Sequence, residues 1–226
     1  VSICIFGGTK GGTGKSTLAQ NVAACLASGS RDVLVVDADC PQNSVDSWAT
    51  RREERGQQPR IQVVRQSGNL LGDLQTLSTK FDDVIVDVGG FDSMELRSAM
   101  VVADRLVVPV GPSLKELETI QHLPALVEQA RVSNPALQVQ TVLTLVSTHP
   151  NNTRADEAAE YLAELGFAPL QTRFYRREAW ADSDAMGQAI TEFVIPNRKR
   201  KDQKAIAEIQ AFMQELYGVE TSEAAA

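Results

Sequence analysis

The residues that could do chemistry begin in the run "GGTKGGTGKST", Gly7 to Thr17. Gly11, Gly12 and Gly14 let a backbone turn tightly and aim its N–H groups inward. With Thr13 among them and Lys15, Ser16 and Thr17 after them, the run reads as a phosphate-binding loop. There Lys15 reaches the β- and γ-phosphates, Ser16 offers its hydroxyl to Mg²⁺ and Thr17 approaches the α-phosphate. The usual spacing, G-x-x-x-x-G-K-[ST], asks for glycine at position 9; this chain has Thr9 instead, and a second lysine, Lys10, follows. Carboxylates add a metal reading. "VLVVDAD" ends in Asp37 and Asp39, and "DDVIVDVGG" sets Asp87 behind three apolar residues, the Walker B pattern of an acid that holds Mg²⁺ or its waters. Ser16, Asp39 and Asp87 are thus the candidate metal residues, and ATP with Mg²⁺ the expected ligands.

These residues need a scaffold that brings them together. Short apolar, β-branched runs at 1–7, 32–39, 61–65, 82–88, 104–110 and 139–146 predict strands covered on both faces. Helical patterns at 16–28, 43–55, 69–78, 93–102, 114–131 and 153–165 alternate with them. The alternation predicts an α/β fold: a doubly wound, mostly parallel sheet with helices on both faces. Right-handed crossovers then carry Gly7, Asp39, Asp87 and Pro109–Gly111 to one sheet edge, where ligands bind. A further amphipathic helix is expected at 203–217. One domain over 1–218 and a disordered tail over 219–226 complete the expected organisation.

Composition narrows the function classes. The 226 residues are 43% hydrophobic and 23% charged, enough for a sizeable core. Apolar runs stay short of the ~18–20 residues that span a bilayer. "VSICIF" lacks the basic leader of a signal peptide and reads as a core strand; the missing initiator Met points to a trimmed chain. Cys4, Cys25 and Cys40 make an odd set without C-x-x-C spacing, as expected of free thiols in a reducing cytoplasm. His122 and His149 stand alone, and neither a zinc pattern nor a G-x-S-x-G elbow occurs.

"KGGTGKST" resembles the deviant Walker A motif of the ParA/MinD ATPases. "VLVVDADCPQ" is similar to their switch I, usually D-x-D-P-Q, and "VIVDVGG" to their switch II. "LVVPVGPSLKELETI" resembles the strand and helix start that follow. "TRFYRREAWADSDAMGQAI" resembles a stretch of the ParA branch in which a basic segment precedes a helix and a glycine. The resemblance spans about 1–195. It implies a slow, Mg²⁺-dependent ATPase that dimerises around ATP. Lys10 is then the signature lysine that reaches the partner subunit's nucleotide, Lys15 the loop lysine in cis, Asp39 the acid that positions the attacking water, and Asp87 the Mg²⁺-linked acid. Two departures stand out. Cys40 lies between Asp39 and Pro41, which predicts an altered switch I. Gly89 and Gly90 follow Asp87 where Thr-Pro-Pro-type sequences are usual, which predicts a more flexible switch II.

For the ParA branch the resemblance implies nonspecific DNA as a partner, with a ParB-like or cargo adaptor protein that stimulates hydrolysis. The cargo would be a plasmid or chromosome, with a protein assembly or a conjugative relaxosome as the alternative. Residues 171–204 carry eight cations (Arg173, Arg176, Arg177, Arg198, Lys199, Arg200, Lys201 and Lys204) against five acids, in a chain of net charge −7. These are the candidate DNA contacts. No helix-turn-helix segment precedes the first strand, so operator-specific binding is not expected. The apolar stripe Ile206, Ile209, Phe212, Met213 and Leu216 reads as core rather than a MinD-like membrane anchor, because Glu208, Glu215 and the acidic "VETSE" accompany it. The expected setting is cytoplasmic, on the nucleoid when ATP is bound, and not at a membrane.

Overall fold

The computed structural model describes residues 2–8, 11–90, 92–149 and 151–218. The expected tail 219–226 and the signature lysine, Lys10, lie outside the described residues.

The chain runs β1 (Ser2–Phe6), α1 (Lys15–Ser28), β2 (Val33–Ala38), α2 (Ser44–Glu54), β3 (Gln62–Arg65), α3 (Leu71–Leu77), β4 (Asp83–Val88) and α4 (Met94–Met100). It continues with β5 (Arg105–Val110), α5 (Leu114–Ile120), α6 (Leu123–Ser133), β6 (Gln138–Val146), α7 (Arg154–Glu164), β7 (Pro169–Tyr175), α8 (Glu178–Ala185) and α9 (Gln203–Tyr217). The strands form one sheet in the order β3-β2-β4-β1-β5-β6-β7, and every pairing is parallel.

Parallel strands need helical crossovers, and these cover both faces. Alternate residues of each strand therefore feed two cores. Ile3 and Ile5 of β1 pack with Leu74, Leu96, Leu123 and Leu162 under α3 to α7. Cys4 and Phe6 pack with Leu18, Trp48, Ala179 and Phe212 under α1, α2, α8 and α9. The central strands are apolar almost throughout because neither face meets water. The α9 stripe sits in the second core, with Ile206, Ile209, Phe212, Met213 and Leu216 all buried. Among the described residues no helix is long and apolar enough to cross a membrane.

Two elements differ from the sequence expectation. The helix expected over 114–131 is two helices, α5 and α6, separated at Gln121 and His122. Pro124 explains the break: it lacks an N–H, and its ring collides with the carbonyl four residues back in a continuous helix. The seventh strand, β7, lies in the stretch read as a basic segment before a helix, where no strand was expected. Its burial alternates, with Thr172 and Phe174 buried between half-buried Arg173 and Tyr175, because it closes one edge of the sheet.

β1 lies between β4 and β5. The chain leaves β1 toward β2 through α1 on one face and later crosses from β4 to β5 through α4 on the other. The crevice at such a reversal opens above the strand ends, where the glycine-rich loop leaves β1.

Candidate active site

The loop after β1 gets its shape from its glycines. Gly12 and Gly14 stand at φ 88 and 90, in the left-handed region that side chains avoid. Gly14 is the N-cap of α1, and Lys15 is the first helical residue. The open N–H groups and dipole of α1 therefore face the loop, a setting that favours phosphate. Lys15 is only 4% exposed, and Thr13 is buried. A contact from outside the loop fixes it: Thr144 of β6 donates its hydroxyl to the Thr13 carbonyl at 2.8 Å.

The acids stand on neighbouring strands. Asp37 of β2 pairs in register with Asp87 of β4. Asp37 is buried, and its carboxylate accepts the backbone N–H of Asp46 at 2.9 Å and of Asp39 at 3.2 Å. Burial pushes its pKa up, and the N–H groups pull against that shift. Asp37 is thus occupied in holding the switch I turn and the first turn of α2. Within the turn, Asn43 N–H donates to the Asp39 carbonyl at 2.8 Å, and exposed Cys40 donates its thiol to Asn43 at 3.4 Å.

Asp87 is different. It is fully buried, and neither carboxylate oxygen has a hydrogen bond of normal geometry among the described residues. Burial raises its pKa to about 7; the Ser16 hydroxyl and Lys15 lower it, while Asp37 and Asp39 add to the rise. Such a group is poised to lose its proton to solvent when a cation takes its place. No cluster of three His, Cys, Asp or Glu residues able to hold a metal occurs among the described residues. The unpartnered Asp87 carboxylate beside the Ser16 hydroxyl suits Mg²⁺, which keeps most of its waters and phosphate ligands and takes one or two protein oxygens. Ser16 and Asp87 therefore fit the ion.

Asp39 lies against switch II. A Cβ built on Gly89 would stand 1.9 Å from Asp39 Oδ1. Gly89 leaves room for this close approach; a larger residue there would require the Asp39 carboxylate to move. Only Gly90 of the pair has a positive φ, 68.

A cleft of about 610 Å³ runs from the loop (Gly11–Thr17) past Asp39 and Gln42 to Tyr175, Arg176, Trp180 and Asp184. Its far wall is α8, which is fastened to α2. Arg51 donates to Asp184 Oδ2 at 3.0 Å. Arg52, 2% exposed, forks onto Glu192 at 2.7 and 2.8 Å. Gly187 packs so tightly that a Cβ there would stand 2.4 Å from the Arg52 backbone nitrogen. Sequence reasoning missed Thr144, Tyr175, Trp180 and Asp184 as cleft residues. The alternation along β7 was the available signal for Tyr175; for the others only the tertiary fold reveals the place.

The eight candidate DNA contacts separate. Arg173 pairs with Asp156 at 2.7 Å. Arg177 pairs with Glu208 of α9 at 2.6 Å and stands 5.5 Å from the Tyr175 ring centre. These two make ion pairs within the chain. Arg176 is on the cleft rim. Arg198, Lys199 and Arg200 are exposed on a turn closed by the bridge Ile195–Arg200, with half-buried Lys201 and exposed Lys204 after it.

The family model described as "ATPase MipZ" matches residues 2–155. The chain is 26% identical over 195 residues to the "Maintenance of carboxysome distribution protein A" of Halothiobacillus neapolitanus, covering 86% of this chain and 88% of that protein. It is also 26% identical over 211 residues to the "Chromosome-partitioning ATPase Soj" of Thermus thermophilus, covering 81% and 84%. The cell division ATPase MinD of Pyrococcus furiosus has the same fold, with TM-score 0.70 and 19% identity over 95% of this chain and 98% of that one.

Proposed function

Because the chain belongs to the MipZ family of ATPases, within the ParA/MinD superfamily of deviant Walker A proteins, we propose that it hydrolyses ATP to position a large protein assembly. The observation that carries this reading is the likeness, over nearly the whole of both chains, to a carboxysome distribution protein. The cleft supplies the chemistry. Phosphates would seat on the N–H groups of the glycine loop and on Lys15. Mg²⁺, when bound, neutralises charge on the phosphates; Ser16 and Asp87 would hold it. Asp39, fixed over Gly89, would accept the hydrogen of the attacking water and aim it at the terminal phosphate.

The ATP state would be a homodimer. Lys10 would reach the partner subunit's nucleotide, so that the ligand belongs to the interface and its loss releases the dimer. The exposed cations of the 195–200 turn would hold the dimer on nonspecific DNA, and an adaptor protein on the cargo would stimulate hydrolysis. A plasmid or chromosome as cargo is the second reading, favoured by the equal identity to a chromosome-partitioning ATPase. Deleting the gene separates them. Clustering of a protein assembly with plasmids and chromosome segregating normally supports the first; loss of plasmid or chromosome with assemblies normally spaced replaces it with the second.

A further inference from the structure

We propose that Thr144 of β6 is a positioning residue for phosphate: its hydroxyl sets which way the Thr13–Gly14 peptide faces, and so whether the Gly14 N–H meets the ligand. The inference rests on the nucleotide reading of the cleft.

The hydroxyl stands where the strand itself does not need one. β6 alternates faces: Val142 packs in the core under α1, and Leu143 in the opposite core. Thr144 therefore shares the face of Val142, and it is only 3% exposed. A hydroxyl buried among apolar side chains costs stability unless it is bonded. Its bond leaves the sheet for the loop after β1, where it meets the Thr13 carbonyl at 2.8 Å. The regular alternation ends at the next residue. Leu145 is left-handed, at φ 54, and Val146 packs in the same core as Leu143. A left-handed leucine inside a strand is a strained, positioned feature beside a site.

Peptide geometry turns this bond into a statement about phosphate. Gly12 and Gly14 flank Thr13, both at positive φ. Glycine moves between backbone regions at little cost, so the peptide joining Thr13 to Gly14 needs an outside restraint to keep one orientation. That peptide is trans, so its C=O and N–H point in opposite directions. A carbonyl drawn inward to a buried hydroxyl sends the Gly14 N–H outward, to the side of the loop that lines the cleft. There it joins the open N–H groups at the start of α1. Both partners of the bond belong to the protein, so it shapes the loop independently of phosphate and leaves less ordering to the binding step.

The test measures binding of inorganic tripolyphosphate and of ATP, each with Mg²⁺, to the whole chain by calorimetry. Thr144→Val is expected to weaken both about tenfold, the effect of one lost hydrogen bond. Thr144→Ser keeps the hydroxyl and should stay within about twofold of wild type for both. Thr144→Ala and Thr144→Ser differ by one oxygen, so the comparison survives a valine variant that does not fold; the alanine should bind about tenfold more weakly than the serine. Unaltered tripolyphosphate affinity in folded Thr144→Val, with a lowered melting temperature, overturns the proposal, since the hydroxyl then serves the fold alone. A loss for ATP without one for tripolyphosphate also overturns it, because the threonine would then act on the nucleoside. So does a serine variant as weak as the valine. A wild type that binds neither ligand removes the nucleotide reading of the cleft as well, whereas a wild type that binds both beside an unaltered variant strikes the proposal alone.

Discussion

Arg177 and Arg200 belong to the same basic stretch, yet the fold gives them opposite surroundings. Arg177 is 17% exposed and locked onto Glu208, which is 9% exposed. Burial raises the pKa of Glu208, and the arginine hydrogen bond and the Tyr175 N–H pull it back. Arg200 stands in water on a turn closed by its own carbonyl, which accepts the Ile195 N–H at 3.0 Å. One cation ties β7 to α9; the other is offered to solvent. Charge counted along a sequence is therefore not charge on a surface. Asp87 is the third case, a buried acid with no normal hydrogen bond, and it marks the place where a ligand is expected to complete the protein.

The contrast can be broken at each point, starting with the largest effect. Asp87 has a folded pKa of about 7 against an ordinary value of 3.8. The folded chain therefore keeps a proton that the unfolded chain has released. Its contribution to stability is fully present below about pH 4, is lost as the pH rises toward 7, and is level above that. Asp87→Asn should remove this decline and stabilise the metal-free chain at pH 8 by up to about 4 kcal/mol. Chemical denaturation in chelator across pH 4–8 reads this directly; parallel curves for the two proteins would mean that Asp87 already has a partner.

Next comes the buried pair. Arg177→Ala leaves Glu208 without its partner in a buried place, which costs about 3 kcal/mol and lowers the melting temperature by about 10 °C in a chain of this size. The double variant Arg177→Met/Glu208→Leu should recover most of that loss. A melt of the single variant within 2 °C of wild type would show the pair to be as weak as a surface one.

The smallest effect on stability belongs to the turn. Removing Arg198, Lys199 and Arg200 together should change stability by no more than about 0.5 kcal/mol. If the turn meets DNA, the same change lowers the slope of log affinity against log salt by about one per cation. An unchanged slope would leave this face without a DNA role.

Much of the fold was legible because the central strands are apolar on both faces and the helices between them carry periodic stripes. Six of the seven strands lie where the patterns put them, within a residue or two. β7 was missed because an edge strand carries polar residues on its open side, and Arg173 and Arg176 drew the reading toward charge. The α5–α6 break was visible in Pro124 and was overlooked. The glycine loop was legible as a unit, since glycines, Lys15 and Ser16 are consecutive. The far wall of the cleft was not, because Thr144, Trp180 and Asp184 come from separate elements joined only by packing.

The sequence by itself determined the parallel α/β architecture, the loop after β1 and the acids at the ends of β2 and β4. Periodicity and local backbone demand are written residue by residue, so these features need no distant partner. Only the tertiary structure decided which charges are exposed, that Asp39 takes the space a side chain at Gly89 would need, and that Arg176 lines the cleft. Each depends on what a residue far along the chain brings beside it. Asp39 fills the space at Gly89, Glu208 withdraws Arg177, and the carbonyl of Val146 sets Arg176 on the rim.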